Sequence, residues 1–477
     1  MVQVISYLFS IIERIISVIV EIVFSFVSAI SSKDRGTEYT AEFVSPGSIL
    51  SIFNLGYALA GGLRATTREI AFRNSLIVGP SGSGKTSTVL IGSICTLARG
   101  NSSMCIMDVS GELFKLTSGW LEKIGYTIYC IDFGATSDSF NCLALCTTIT
   151  DVQKIAFLLI KNSGIESKSD PYWSASAEMM AAVFIEYLVF HAPPEFCNMA
   201  NLVRLTDTFA GSPSKVDVLF VKTRSPELIA KYKAMNAVSE KTLQSTLATV
   251  RTALKVFGTP AIRHCTATNT IDFASFRKTK SVLYICTPLN DVNYYAPLSA
   301  LLFEALFKEI MSRIPDKGEN SIFCLIDEMV TMKFQNLGIV YANCRKYFAG
   351  CMGIIQDEKM LEMGFSPAEA HAIRTNSYSK VYLPGQPLAT CKQLEEILGK
   401  YTYLDEKSNS EKTRLLMSAS EVRMSKEAII LVGNEPPIKA KTISYYNHWK
   451  LKQRTKIPPY VPDTKIQTDD PPLIPFD

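Results

Sequence analysis

Gly79-Pro80-Ser81-Gly82-Ser83-Gly84-Lys85-Thr86 is the stretch whose reading decides the fold. It fits G-x-x-x-x-G-K-[ST], a loop whose backbone amides wrap a phosphate chain. Its flanks agree with the string. Asn74-Ser75-Leu76-Ile77-Val78 is a short apolar run of the kind a buried parallel strand shows. Thr86 to Leu97 reads as a helix, so the loop sits where a helix N-terminus adds its positive end to an anion site. Gly79, Pro80, Ser81, Gly82, Ser83, Gly84, Lys85, Thr86 and Ser87 are the expected cradle for ATP. Lys85 would reach the outer phosphates and Thr86 would hold Mg²⁺. A chance glycine turn is disfavoured, because strand, loop and helix agree.

With 477 residues the chain has room for more than one domain. An apolar share of 47% with 20% charged residues describes a globular protein. The net charge of +4 is too small to argue nucleic-acid binding by itself. The 12 cysteines show no metal spacing, and Cys95, Cys105, Cys130, Cys286 and Cys324 sit in apolar runs. They read as buried thiols in a reducing compartment, without a disulfide framework. No H-E-x-x-H occurs among the four scattered histidines, so nothing supports a zinc protease.

Downstream, Met104 to Met107 reads as a strand ending in Asp108, followed by Val109-Ser110-Gly111-Glu112-Leu113, a helix to about Ile124, and a strand over Tyr126 to Ile131. Strand–helix alternation of this kind argues for an α/β fold with a mainly parallel sheet and helices on both faces. Asp108 and Glu112 follow a strand's carboxyl end, where such sheets bind ligands, and are additional site candidates. Glu112 is equally well explained as a first-turn helix acid. From Thr150 to about Phe257 strand signals nearly vanish. Asp151–Lys161, Tyr172–Phe190, Met199–Thr208, Pro226–Met235 and Glu240–Val256 read as helices, an all-α insertion. Trp173 reads as core. The sheet resumes at Ser281 to Cys286. A helix is expected from about Pro297 to Ile314.

Ser321 to Ile326, Asp327 and Glu328 form an apolar strand ending in two acids. Asp327 would bind Mg²⁺, and Glu328 would polarise the attacking water as general base. A helix carrying Arg345 is expected next, then a strand from Cys351 to Ile355 tipped by Gln356. Where a P-loop ATPase carries this glutamate, the sensor strand lies between the P-loop strand and the acid strand. A polar residue at its tip can then touch both the γ-phosphate and the water; Gln356 fits that position, and it also reads as an ordinary strand-end polar residue. Thr402 to Arg414 reads as a charged loop. Lys439 to Lys456 interleaves basic residues with Tyr445, Tyr446 and Trp449, which suits either nucleic acid or a solvated surface. Val2 to Ile30 is mostly apolar, broken by Glu13, Arg14 and Glu21. It is a membrane span, an interfacial helix or a buried soluble helix. Lys33 and Arg35 favour a cytoplasmic side after it.

Together these segments resemble the type IV coupling proteins, the TraG/TraD-like ATPases of conjugation and type IV secretion. The likeness runs from about residue 45 to 450. It is carried by the P-loop, Asp108-Val-Ser-Gly-Glu-Leu, Tyr172-Trp173 heading a long helix, Lys241-Thr242, Asp327-Glu328, Arg345 and Gln356. Ser110 stands where that family usually has lysine, and one membrane segment stands where two are common. The resemblance implies a RecA-like P-loop NTPase domain. The layout would be 1–35 as a membrane helix, 36–148 and 258–456 as the two parts of that domain, 149–257 as the all-α insertion, and 457–477 as an extended Pro-rich tail. It implies a homo-hexamer on the cytoplasmic face of the bacterial inner membrane, partnered by channel components of a type IV secretion system. ATP hydrolysis would drive transfer of a DNA–relaxase complex or effector proteins. Arg345 would act as a finger on the neighbouring subunit's ATP. Two competing readings are another RecA-like translocase, such as the larger secretion ATPase of the channel or an FtsK-like DNA pump, and a nucleotide-gated substrate receptor without motor activity.

Overall fold

The computed structural model describes residues 41–133, 138–163, 171–287, 289–331, 334, 336–405, 410–461 and 471–476. The N-terminal apolar segment therefore lies outside the described residues. Eleven strands are described: β1 Ser75–Val78, β2 Ser102–Asp108, β3 Thr127–Asp132, β4 Ser281–Cys286, β5 Ser321–Ile326, β6 Ala349–Ile355, β7 Ser379–Tyr382, β8 Lys400–Asp405, β9 Ser410–Leu415, β10 Ala428–Val432 and β11 Ile438–Ala440. Nine make one sheet in the order β11-β10-β7-β1-β6-β5-β2-β4-β3. From β7 to β3 every pairing is parallel. β10 runs against both β7 and β11.

The central strands β1, β2, β4, β5 and β6 are buried at every position because both faces are covered. Alternate residues enter different cores. Leu76, Val78, Cys105, Met107, Cys324 and Ile326 join one, while Ile77, Met104, Ile106, Phe323 and Leu325 join the other. That is the two-residue period of a strand divided between two helical layers. Phe323 is fully buried, stacks on Phe72 at 5.5 Å and meets the edge of Tyr57 at 5.7 Å. Phe323→Ala is expected to cost about 3–5 kcal/mol, read as a lower urea midpoint. An unchanged midpoint would contradict this account of the core.

Helix α1 (Ile91–Leu97) follows the P-loop and α2 (Glu112–Lys123) follows β2. Between β3 and β4 the main helices are α3 (Ile149–Lys161), α4 (Pro171–Phe190), α5 (Met199–Gly211), α6 (Pro213–Lys222), α7 (Pro226–Asn236) and α8 (Glu240–Leu254). Phe184, Phe209, Phe220 and Tyr232 pack ring on ring among them, with Phe220 and Tyr232 stacked at 4.0 Å. The helix Tyr172–Phe190 is long and apolar enough to cross a membrane, but half of that window is buried inside the protein. Its apolar residues fill a core. Trp173 lies half-buried beside the exposed Tyr172.

Several elements differ from the sequence reading. Helix α9 (Val292–Ser312) begins before Pro297, which sits inside it. Helix α6 was not expected, although Val216 and Phe220 are buried at helical spacing. The stretch read as a charged loop is an antiparallel hairpin, β8 with β9. Its β9 strand is exposed along almost its whole length, so no apolar alternation announces it. The helix Leu337–Asn343 ends before Arg345, which lies on the tighter 3₁₀ turn Cys344–Tyr347.

Candidate nucleotide site

The sheet order is what assembles the site. β1, β6, β5 and β2 are consecutive neighbours, spaced about 4.8 Å apart. Their carboxyl ends carry Gly79, Gln356, Asp327 with Glu328, and Asp108 respectively. Ligands of open α/β sheets bind at that edge.

In the loop, Gly82 and Gly84 have φ of +78° and +87°, the left-handed region that glycine enters at no steric cost. Lys85 is buried. Its Nζ donates to the carbonyls of Gly79 at 2.8 Å and Pro80 at 3.3 Å, and lies 3.8 Å from Glu328 Oε1. Ser83 Oγ is buried without a hydrogen-bond partner. A buried hydroxyl left unpaired is costly, and a phosphate oxygen would satisfy it. The loop therefore fits a polyphosphate. The following helix opens with wide π-helical turns over Lys85–Leu90, the Ile91 amide reaching back to Thr86 O. Such turns gather at functional sites.

The acids face Lys85. Burial pushes the Asp327 carboxyl up to about 7, and the neighbouring charges of Glu328 and Asp108 add to the effect, with Lys85 opposing. A divalent cation at Asp327 would supply the missing positive charge and draw that value down. Glu328 has φ of +48°, uncommon for a side chain of its size. Thr331 holds that turn, its amide and hydroxyl donating to Glu328 O at 2.9 and 2.8 Å. Backbone strain of this kind is characteristic of active sites. Gln356 Nε2 donates to both carboxylate oxygens of Glu328 at 3.3 and 3.4 Å.

Two other sequence candidates are placed differently. Asp108 is fully buried, and its Oδ2 accepts the Phe114 amide at 2.7 Å, anchoring the start of α2. Burial raises its pKa. Its charge reaches the site through Asp327. Glu112 is exposed at the first position of α2, and its charge acts on Asp108 and on Tyr445. Ser110 closes the turn between them, accepting the Glu112 amide at 3.3 Å. Arg345 is exposed before the first residue of β6, so the length of that strand separates it from Gln356. The structure does not bring Arg345 to its own chain's loop.

One contributor was missed. Gln386, buried after β7, donates from Nε2 to Val78 O at 2.9 Å and Leu383 O at 2.7 Å. It pins the strand end that launches the loop. Pro80 Cγ would lie 3.2 Å from a Cβ at Gly385, whose φ is +93°. The signal available was the turn-forming run Pro384-Gly385-Gln386-Pro387 after an apolar strand.

Comparison with known proteins gives concordant results. Residues 56–468 match the family model described as Type IV secretory system Conjugative DNA transfer. Protein VirD4 of Rhizobium radiobacter is 22% identical over 411 residues, covering 80% of this chain and 58% of that protein. VirD4 of Agrobacterium fabrum is 21% identical over 410 residues, covering 80% and 60%. The chain thus spans a little under two thirds of these relatives' length. Among solved structures, the conjugative coupling protein TrwBdeltaN70 with sulphate superposes with a TM-score of 0.65 at 16% identity, over 85% of this chain and 94% of that one. TrwB with ADP and Mg²⁺ gives 0.63 at 17% identity, over 84% and 93%.

Proposed function

Because the chain belongs to the type IV secretory system conjugative DNA transfer family, we propose that it is that system's coupling ATPase, which drives substrate transfer by ATP hydrolysis. The observation that carries this reading is the contact of Lys85, Glu328 and Gln356 across three adjacent strand ends. A P-loop that only bound nucleotide would not need a carboxylate held beside its lysine by a neutral amide.

Residues 79–87 would hold the triphosphate, with Thr86 and Asp327 as the Mg²⁺ ligands. Mg²⁺, when bound, supplies positive charge against the phosphate oxygens. Lys85 would exchange its bonds to Gly79 and Pro80 for phosphate oxygens. Glu328 would take a proton from the attacking water, and Gln356 would fix the direction of that carboxylate. TrwB, whose fold this chain shares, is known with ADP and Mg²⁺, which supports the same ligands here. The reading includes residues 1–35 as an inner-membrane anchor, residues 149–257 as an insertion in the motor domain, and a homo-hexamer completed by Arg345. The cargo class is DNA with its bound relaxase, or effector protein.

ATP turnover by the full chain in detergent tests this, measured over a range of protein concentrations with and without single-stranded DNA. Specific activity should rise steeply with concentration, as subunits complete each other's sites, and DNA should stimulate it. Turnover flat in both variables would overturn the DNA-motor reading.

A further inference from the structure

The last described residues, Pro471–Phe476, lie against the helical unit and not against the nucleotide site. The chain leaves α2 at Tyr460, whose amide donates to Ser118 Oγ at 3.0 Å. It reappears on α5 and α6. There Asn201, fully buried in the first turn of α5, clasps the tail's main chain. Its Nδ2 donates to Pro472 O at 2.8 Å and its Oδ1 accepts the Ile474 amide at 2.9 Å. Arg204 Nε donates to Ile474 O at 2.8 Å, and its guanidinium lies 5.3 Å from the Phe476 ring. Lys215 Nζ donates to Phe476 O at 2.8 Å. A buried asparagine is costly unless both ends of its amide are paired, so Asn201 is suited to an extended chain lying across it.

The tail's own chemistry matches. Pro471 and Ile474 are buried while Pro472, Leu473 and Pro475 are exposed. The polar contacts fall on Pro472, Ile474 and Phe476, every second residue, as along an extended chain. Prolines also lower the entropy lost on docking. Four of the contacts go to main-chain atoms, so sequence enters through the buried Pro471 and Ile474, the Phe476 ring and the extended conformation. A seat of that kind accepts any peptide with the same features.

We propose that the surface of α5 and α6 formed by Asn201, Arg204 and Lys215 is a receptor for extended, proline-containing peptides in which an aliphatic residue is followed two positions later by an aromatic one. Pro471–Phe476 is its resident ligand, and a segment of another protein with the same chemistry exchanges with it. The assignment is independent of the nucleotide chemistry. Tethering keeps the tail at an effective concentration on the order of millimolar, so a seat with an affinity of about 0.1 mM would be screened from outside peptides by about tenfold.

The probe is a fluorescent synthetic peptide with the sequence of residues 469–477, titrated by anisotropy into the full chain. The parent should bind it weakly. Ile474→Asp in the chain frees the seat and should tighten binding by about tenfold. Adding Arg204→Ala should abolish that gain, and a peptide carrying Ile474→Asp should not bind. Circular dichroism and the unfolding midpoint report whether each variant keeps the parent's fold, and Lys215→Ala, on an exposed residue, serves if Arg204→Ala does not. Equal affinity for the parent and the Ile474→Asp chain, or a gain that survives Arg204→Ala and Lys215→Ala, would overturn the proposal.

Discussion

Glu328→Gln is expected to lower ATP turnover by about 10²–10⁴-fold, the usual worth of a positioned general base, with nucleotide binding retained. The two halves of that expectation have separate physical grounds. Glutamine keeps the shape and can still hydrogen-bond Gln356, so the strand ends stay in place. Removing the carboxylate also removes a charge that raises the Asp327 pKa. Asp327 then ionises more readily, and its hold on a cation is not weakened. The loss therefore falls on chemistry and not on binding. Lys85→Ala should behave differently, because the lysine would be the positive charge meeting the outer phosphates, so binding itself should fall. Phosphate release and binding of a labelled ATP analogue on the same preparations separate the two. Parental turnover in Glu328→Gln would remove the residue from the chemistry and favour a nucleotide that only drives assembly.

The sheet and the centre of the site were legible because their signals are local. The Gly79–Thr86 loop, the acid pair after an apolar run and the polar residue tipping β6 each declare themselves within ten residues, and the strand order brings them together. Other features depend on distant partners. β8 and β9 pair through their backbones, and the side chains of β9 are almost all exposed, so that strand carries no apolar pattern of its own. Gln386 matters only because Val78 O lies beside it. Pro297 looked like a helix start because proline favours that place, whereas α9 begins five residues earlier and carries it within the helix. The tail read as extended from its prolines, but its seat on Asn201 and Arg204 joins residues some 270 apart. For Asp108, burial and the Phe114 amide show a carboxylate used to anchor a helix, a role that a strand-end position alone cannot distinguish from ligand binding.

Arg345→Ala should lower turnover by about 10³-fold or more, the scale of a finger supplied in trans, while the isolated chain still binds nucleotide normally. The proposed finger role predicts this division. Arg345 precedes β6 and Gln356 follows it. Seven strand residues span about 23 Å at 3.3 Å each, farther than an arginine side chain extends. No hydrogen bond or ion pair among the described residues occupies its exposed guanidinium. A contribution of Arg345 to hydrolysis would then come from a neighbouring copy, and a mixing experiment isolates it. A Lys85→Ala chain has a disabled loop and an intact finger, and an Arg345→Ala chain has the reverse. Each alone should be nearly inactive. Mixed assemblies contain interfaces where an intact finger faces an intact loop, so part of the turnover should return, rising and then falling as the ratio is varied. Turnover that stays at the level of the single variants at every ratio, or an Arg345→Ala chain that fails to bind nucleotide, would place Arg345 in its own subunit's stability rather than in its neighbour's site.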